Sequence, residues 1–306
     1  DSVDCSIEAL EALARREPRL TVLRNGTNLG FGRGNNAALS RVRGEHVLFL
    51  NPDCIVGEDT LTRMVDFLAR HPQAGMAGCL IRNPDGTEQA GCRRQVPTPR
   101  RALTRMWSPH RQDDRRPPGA PAAGPLPASP VAVEAISGAF MLVRTAVLKQ
   151  VGSFDEAYFM HWEDLDLCLR FRQAGWEVLF VPGVEIVHFK GRSSSQRPFF
   201  VEWHKHLGLI RFFRKFYFNA YPLVIYAFVA LAIARQIPEH SLEPPPRRHP
   251  CVRRTPQRGQ PGVLHQVLGP GRIADQMPGQ PTQPAGMPQQ LFHPQGRLEG
   301  STHACI

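Results

Sequence analysis

The stretch EHVLFLNPD, residues 45–53, decides the fold class. It is a short apolar run that ends in Asn51, Pro52 and Asp53, and such runs are typical of a strand buried on both faces of a sheet. A carboxylate just past the C-terminal end of such a strand lies where α/β sheets bind ligands. Asp53 is therefore a candidate ligand for a hard divalent cation. A simple Asn-Pro-Asp turn is the alternative, and the motif alone favours the turn.

Helices and strands alternate on both sides of this stretch. The pattern predicts a helix from Ser6 to Pro18, a strand over 20–25, and a glycine-rich loop over 28–36 that leads into another helix. Further helices are predicted over 61–72, over 145–152, up to Gly175 and over 199–218, and two short strands over 177–182 and 184–189. This alternation predicts an α/β fold with a mixed, mostly parallel sheet.

Bulk composition limits the class of protein. The 306 residues suffice for one large α/β domain, and the hydrophobic content of 42% is adequate for a packed core. A net charge of +10 fits nucleic acid, anionic lipid or a phosphorylated substrate as partner. The seven cysteines form no CxxC pair, which indicates reduced thiols in a cytosolic protein. The N-terminal residues show no secretory signal pattern.

Three segments differ in composition from the rest. Residues 93–130 are rich in Pro, Arg and Ala, which predicts a flexible loop. Residues 199–235 join a basic, aromatic amphipathic helix to the uncharged run 216–234, which is roughly long enough to cross a bilayer although it contains Asn219 and Pro222. The segment is predicted to associate with a membrane, with packing on the catalytic domain as the alternative for its helix. Residues 236–306 are predicted to be a disordered, basic tail rich in Pro and Gln.

Two further features are candidate chemical groups. The carboxylates of Glu163, Asp164 and Asp166 lie at a predicted helix start, where the helix dipole stabilises them and where one could act as a general base. Ordinary N-terminal capping is the alternative. His188 follows a predicted strand and could complete a metal shell as a neutral imidazole, and a structural or exposed histidine is the alternative.

The glycine-rich loop partly matches the fingerprint of a dinucleotide-binding fold. Gly30 and Gly32 have the spacing of the first two glycines in the fingerprint G-x-G-x-x-G, and Asp53 lies about twenty residues further on. The third glycine would stand at position 35, which is Asn35. The incomplete match disfavours a Rossmann dehydrogenase.

The motifs taken together, in their order and spacing, resemble glycosyltransferase family two and in particular its rhamnosyltransferase-like members. The resemblance covers roughly residues 1–215. The motifs that carry it are Ser2-x-Asp4-x-Ser6, NLGFGRGNN at 28–36, NPD at 51–53, SGAFMLVR at 137–144, FDE at 154–156, WEDLDLCLR at 162–170, and His188.

The resemblance implies the GT-A fold, a nucleotide-diphospho-sugar transferase sandwich. Residues 1–92 would form its nucleotide-sugar-binding part, and residues 131–198 the acceptor and catalytic part. By this resemblance Asp53 and His188 hold Mg²⁺ or Mn²⁺, Asp164 is the catalytic base, and Glu163 is the reserve candidate. The donor pocket would be lined by Asp4, Asn28, Gly30, Gly34, Asn35, Asn51, Ser137 and Gly138.

The resemblance also implies partners and a reaction. The expected reaction is inverting transfer of a sugar, with rhamnose as the first candidate, from a dTDP- or UDP-sugar to a glycan or lipid-linked acceptor. The expected location is the cytoplasm or the cytoplasmic face of the membrane, with a membrane surface as possible partner and no nucleic acid.

One departure from the family pattern concerns the start of the chain. Members begin with a strand, a helix and a second strand that ends in a base-reading acidic residue, and this sequence starts after that point. The sequence therefore predicts exposed sheet edges. It also leaves open an alternative function, a catalytically inactive transferase that serves as a nucleotide-binding or membrane-associated partner.

Overall fold

The structure is a computed structural model that describes residues 6–101, 124–189, 198–218 and 302–305. Its helices are α1 (Ser6–Ala14), α2 (Gly30–Leu39), α3 (Thr60–Arg70), α4 (Thr145–Val151), α5 (Glu163–Gln173) and α6 (Pro198–Tyr217). Its strands are β1 (His46–Leu50), β2 (Cys54–Val56), β3 (Ala74–Arg82), β4 (Arg93–Arg94), β5 (Val131–Ala132), β6 (Ala135–Ile136), β7 (Phe140–Arg144), β8 (Glu177–His188) and β9 (Thr302–Cys305).

Seven of these strands form one mixed sheet, which confirms the predicted α/β class. The order is β2-β8-β3-β7-β1-β9, and β5 pairs with β8. Strands β1, β3, β8 and β9 run in one direction, whereas β2, β5 and β7 run in the other. Because β7 is inserted antiparallel between β1 and β3, the start of β7 lies at the same edge of the sheet as the ends of β1 and β8.

The core lies on both faces of this sheet, because successive side chains of a strand point to opposite sides. Val47 and Phe49 of β1 belong to a buried cluster with residues of α5 and α6. Leu48 and Leu50 belong to a second cluster with Met64 of α3. All five residues of β1 are buried, as the apolar run 46–50 predicts.

The glycine-rich stretch forms a helix rather than the predicted loop. Helix α2 starts at Gly30, which has a φ of 76° and lies so close to Phe159 that a Cβ atom would overlap the Phe159 carbonyl oxygen. That carbonyl accepts a hydrogen bond from the Phe31 N–H at 3.1 Å. A tertiary contact thus places the helix start where glycine content alone suggests a loop.

Two predicted strands differ in the structure. Residues 20–25 form no strand, and none of the described strands pairs with them. The two strands predicted over 177–182 and 184–189 are a single strand in the structure, β8 (Glu177–His188). Its pairing with β3 shifts register between Cys79 and Leu80, so that an irregularity replaces the predicted break.

The ends of the predicted flexible loop are ordered. Within residues 93–130 the structure describes 93–101 and 124–130, and residues 102–123 lie outside the described part. Strand β4 pairs with β6, and Arg101 forms a bidentate ion pair with Glu134 in which both N–O distances are 2.7 Å. These pairings, which composition does not indicate, hold the start of the segment against the domain.

The predicted disordered tail contains one short described element. Residues 236–301 lie outside the described part, as do the last residue and the run 219–235 of the predicted membrane segment. Strand β9 pairs in parallel with β1, from His46 opposite Thr302 to Phe49 opposite Cys305. The sequence predicts exposed sheet edges, and in the structure the outer edge of β1 is hydrogen-bonded to another strand. Among the described helices, none is both long enough and apolar enough to cross a bilayer.

Candidate active site

A cleft of about 400 Å³ opens at the edge of the sheet where β1 and β8 end and β7 begins. Seven of the predicted site residues line it: Asn51, Asp53, Ser137, Gly138, Glu163, Asp164 and His188. The antiparallel pairing of β1 with β7 brings two of these motifs together, because the Asn51 N–H donates to the Ala139 carbonyl at 3.0 Å. The NPD and SGA motifs are therefore neighbours in space although 86 positions separate Asn51 from Ser137.

The first group in the cleft is the pair of Asp53 and His188. Pairing of β2 with β8 places Cys54 opposite His188, and the Phe189 N–H donates to the Asp53 carbonyl at 3.0 Å. The two side chains consequently face each other, with 3.1 Å between Asp53 Oδ1 and His188 Nε2. The amide nitrogen of Asn51 lies 3.3 Å from the same ring nitrogen.

These donor atoms fit a divalent cation of the Mg²⁺ or Mn²⁺ type. A carboxylate oxygen and an imidazole nitrogen at this separation leave further coordination positions open to oxygen ligands of a substrate. Cys54 Sγ also lies within 4.8 Å of both groups. Burial raises the pKa of the Cys54 thiol to about 12, and the thiol donates to the Ala139 carbonyl at 3.5 Å. A thiol is in any case a poor ligand for a hard cation, which prefers oxygen.

The second group is the carboxylate of Asp164 in the first turn of α5. Its Oδ1 accepts the Leu165 N–H at 2.8 Å, and its Oδ2 accepts the Gly138 N–H at 3.0 Å. Oδ2 also forms an ion pair with the guanidinium of Arg94, which donates to the Ile136 carbonyl at 2.9 Å. Asp164 is thus a largely buried carboxylate with a fixed orientation and a positive partner.

The third group is Glu163, which differs from its neighbour in environment. Its side chain is 6% exposed, and its Oε2 has no hydrogen-bond partner within the part of the chain that the structure describes. Burial, and then the charge of Asp164, raise the pKa of Glu163 to about 8. At neutral pH the protonated form of Glu163 is favoured.

The turn that leads into α5 has a strained backbone. His161 and Trp162 have φ values of 63° and 75°, a left-handed conformation that residues other than glycine rarely adopt. Helix α6 holds this turn, because a Cβ atom at Gly208 would overlap the Trp162 ring and because that ring packs on Phe212 with 5.6 Å between centroids. Strain of this kind persists where the surrounding packing enforces it.

The remaining predicted donor-site residues do not line this cleft. Asn28 is exposed and accepts the Gly30 N–H at 2.9 Å, and Asn35 donates to the Phe31 carbonyl at 2.9 Å. Gly34 faces open space, and Gly30 packs on Phe159. Helix α2 reaches the cleft through Phe31 instead. Asp4 lies outside the described residues.

Arg94 and Gln89 are two of the polar residues of the cleft that were not identified from the sequence. Arg94 lies in a segment that its composition assigns to a flexible loop, and its ion pair depends on the pairing of β4 with β6. Gln89 is buried and its amide contacts the His188 ring. The pair of basic residues Arg93 and Arg94 after Cys92 was the one sequence signal that could have indicated Arg94. No sequence signal indicates Gln89.

The sequence is similar to a family model and to curated proteins. A family model described as glycosyltransferase like family 2 matches residues 1–198. The N-acetylglucosaminyl-diphospho-decaprenol L-rhamnosyltransferase of Mycobacterium tuberculosis is 32% identical over 209 residues, which cover 61% of this chain and 64% of the relative. Rhamnosyltransferase WbbL of Escherichia coli is 28% identical over 194 residues, which cover 59% of this chain and 69% of the relative.

The similarity to solved structures is weaker than the similarity to these sequences. The mannosyltransferase PcManGT from Pyrobaculum calidifontis, in complex with GDP-Man and Mn²⁺, gives a TM-score of 0.46 at 18% identity, with 78% of this chain and 60% of that chain covered. The chain spans 64% of the length of the mycobacterial relative. Since the family model matches well over half of the residues, the chain belongs to the family of glycosyltransferases described as glycosyltransferase like family 2.

Proposed function

We propose that the chain is an inverting glycosyltransferase that moves a sugar from a nucleoside diphosphate donor to a hydroxyl of a glycan or lipid-linked acceptor. The observation that carries this proposal is that one cleft holds both the Asp53–His188 pair and the buried carboxylate of Asp164. A dTDP- or UDP-sugar is the proposed donor, with rhamnose as the first candidate sugar. The names of the mycobacterial and Escherichia coli relatives, both rhamnosyltransferases, support that choice.

Asp53 and His188 are the proposed ligands of Mg²⁺ or Mn²⁺. When bound, the cation would supply Lewis-acid neutralisation of the diphosphate that departs. The amide nitrogen of Asn51 lies in the same corner of the cleft, 3.3 Å from His188 Nε2. Ser137 and Gly138 form the wall on which the donor sugar would rest, because both line the cleft between this pair and Asp164.

Asp164 is the proposed general base, and its environment distinguishes it from Glu163. Asp164 forms an ion pair with Arg94, whereas burial favours the protonated form of Glu163. Asp164 would accept the proton of the acceptor hydroxyl as its oxygen bonds to the anomeric carbon. The bond from that carbon to the diphosphate oxygen breaks with its electron pair, so one displacement inverts the configuration.

Helix α6 is the proposed contact with a membrane surface. One face of the helix is buried in the core through Phe212 and Phe213, at 0% and 2% exposure. The other face and the residue just after the helix expose large apolar side chains: Phe199, Phe200, Trp203, Leu207, Ile210 and Phe218. An exposed apolar stripe on a helix that also carries Arg214 and Lys205 suits the interface of an anionic leaflet.

This surface would serve a lipid-linked acceptor at the cytoplasmic face of the membrane. The mycobacterial relative is named for an acceptor that carries decaprenol, which supports such a partner. Trp162 connects the helix to the cleft, since it packs against Gly208 of α6 and directly precedes Glu163. A lipid-linked acceptor bound near α6 would therefore be close to the proposed base.

The proposed reaction predicts separable effects on binding and on transfer. Asp164→Asn should lower transfer from a dTDP- or UDP-sugar by about 10²- to 10⁴-fold, because it removes the proton acceptor. Binding of the nucleoside diphosphate with Mn²⁺ should stay within a few-fold of wild type. Rates and affinities would be measured by donor-turnover assay and calorimetry on the same preparations.

Asp59→Asn, at an exposed position outside the cleft, is the matched control and should turn over like wild type. Normal transfer by Asp164→Asn would show that the base assignment is wrong. A wild type that binds the donor and transfers to no acceptor would favour the alternative, an inactive transferase that acts as a nucleotide-binding or membrane-associated partner.

The raised pKa of Glu163 predicts a pH dependence of stability. Between the ordinary value of 4.5 and the folded value of about 8, the folded protein binds more protons at this site than the unfolded chain does. The contribution of Glu163 to stability is therefore present below pH 4.5 and is lost as the pH rises through 8. The melting temperature of Glu163→Gln relative to that of wild type should therefore rise between pH 5 and pH 9.

The control for this comparison is Glu177→Gln, which changes an exposed glutamate of β8. Thermal melts at pH 5, 7 and 9 should show that it follows wild type. A difference in melting temperature between Glu163→Gln and wild type that stays constant from pH 5 to pH 9 would contradict the raised pKa of Glu163.

The membrane proposal predicts a loss of vesicle binding when the stripe is made polar. Trp203→Ser and Leu207→Ser should each weaken binding to vesicles with anionic lipid by roughly tenfold, as expected when a large apolar side chain no longer enters the interface. Leu126→Ser changes a comparably exposed leucine outside the helix, and its binding should equal that of wild type. Co-sedimentation that is equal for all three variants would refute the assignment of this face.

A further inference from the structure

The amide of Gln89 is held in one orientation by the groups around it. Gln89 is 4% exposed, and its backbone N–H donates to the Ile81 carbonyl at 2.8 Å. The amide nitrogen donates to Asn83 Oδ1 at 2.9 Å and to the His188 carbonyl at 3.1 Å. Because the backbone carbonyl can only accept, this end of the amide must be the NH₂ group.

This orientation determines which ring nitrogen of His188 carries hydrogen. With its NH₂ group committed, Gln89 turns Oε1 toward His188 Nδ1 at 2.6 Å. An amide oxygen accepts and cannot donate, so Nδ1 must be the N–H. In the neutral ring Nε2 then carries the lone pair, and Nε2 is the atom that lies 3.1 Å from Asp53 Oδ1.

We propose that Gln89 is a positioning residue that fixes His188 in the Nδ1–H tautomer and thereby presents the Nε2 lone pair to a divalent cation shared with Asp53. Metal-binding histidines commonly donate their second ring N–H to an oxygen acceptor that sets the tautomer and the ring orientation. Here a neutral amide fills that place, so it adds no negative charge next to the Asp53 carboxylate. The metal part of this inference rests on the proposed function, and the tautomer part does not.

The arrangement also explains why a buried glutamine stands at this position. An apolar residue of the same size would leave the Nδ1–H of His188 without this acceptor, and the His188 carbonyl without this donor. A ring without an acceptor at Nδ1 can place its hydrogen on Nε2 instead, where Asp53 Oδ1 offers an acceptor. That tautomer would direct an N–H, and not a lone pair, toward the cation.

The tautomer can be measured directly on the metal-free chain. Long-range ¹H–¹⁵N correlation of the histidine rings, with the His188 signals assigned through His188→Asn, should show Nδ1–H in wild type at a pH where the ring is neutral. Gln89→Leu should shift the ring to the Nε2–H form. Gln89→Glu keeps an oxygen acceptor opposite Nδ1 and should retain the wild-type tautomer, which also covers the case in which Gln89→Leu does not fold.

The consequence for the cation is measured by electron paramagnetic resonance of free and bound Mn²⁺. Gln89→Leu should lower Mn²⁺ affinity by about 10- to 100-fold, and Gln89→Glu should not show that loss. Gln150→Leu is the matched control, because Gln150 also accepts a ring N–H, from Trp176 at 3.2 Å, but does not line the cleft. Its Mn²⁺ affinity should equal that of wild type.

The two readouts separate the possible failures. A wild-type ring with Nε2–H, or a Gln89→Leu ring that keeps Nδ1–H, overturns the role of Gln89. A wild type with the expected tautomer that binds no Mn²⁺, with or without dTDP or UDP, overturns the metal site of the proposed function and the link from Gln89 to the cation. The expected tautomers together with the graded loss of Mn²⁺ affinity support both.

Discussion

The candidate site depends on one feature of the sheet, the antiparallel insertion of β7 between β1 and β3. This direction brings the start of β7 to the end of β1, where the Asn51 N–H bonds to the Ala139 carbonyl at 3.0 Å. The turn before β7 then presents the Gly138 N–H to Asp164 at 3.0 Å. A backbone ladder thus joins the proposed metal ligands to the proposed base, and neither motif could form the cleft alone.

The second constraint is electrostatic. Glu163 and Asp164 are adjacent, both largely buried, and both at the start of α5, yet only Asp164 pairs with Arg94. Two neighbouring buried carboxylates are costly to ionise together, and the guanidinium of Arg94 forms an ion pair with one of them, Asp164. The raised pKa of Glu163 follows from this arrangement and from burial. The structure therefore gives a charged partner to one of two adjacent carboxylates and a buried setting to the other.

The sequence indicates the fold class and much of the cleft, because both follow from local patterns. The buried strand before Asp53, the acidic helix start at Asp164 and the strand end at His188 are each visible as short motifs, and the structure brings them to one cleft. Gln89 and Arg94 could not be found in this way, since their roles depend on pairings with residues 99 and 70 positions away. The start of α2 at Gly30 was missed for the same reason, because contact with Phe159 places it.

The most direct test of the central claim, a donor diphosphate bound through a cation at Asp53 and His188, is calorimetric titration of the purified chain. The titrants are dTDP and UDP, each with and without Mn²⁺. The account predicts binding of at least one nucleotide that requires Mn²⁺ and that disappears in Asp53→Ala. Absence of binding with Mn²⁺, in a chain whose circular dichroism shows that it is folded, would contradict the account and reduce the family membership to common ancestry.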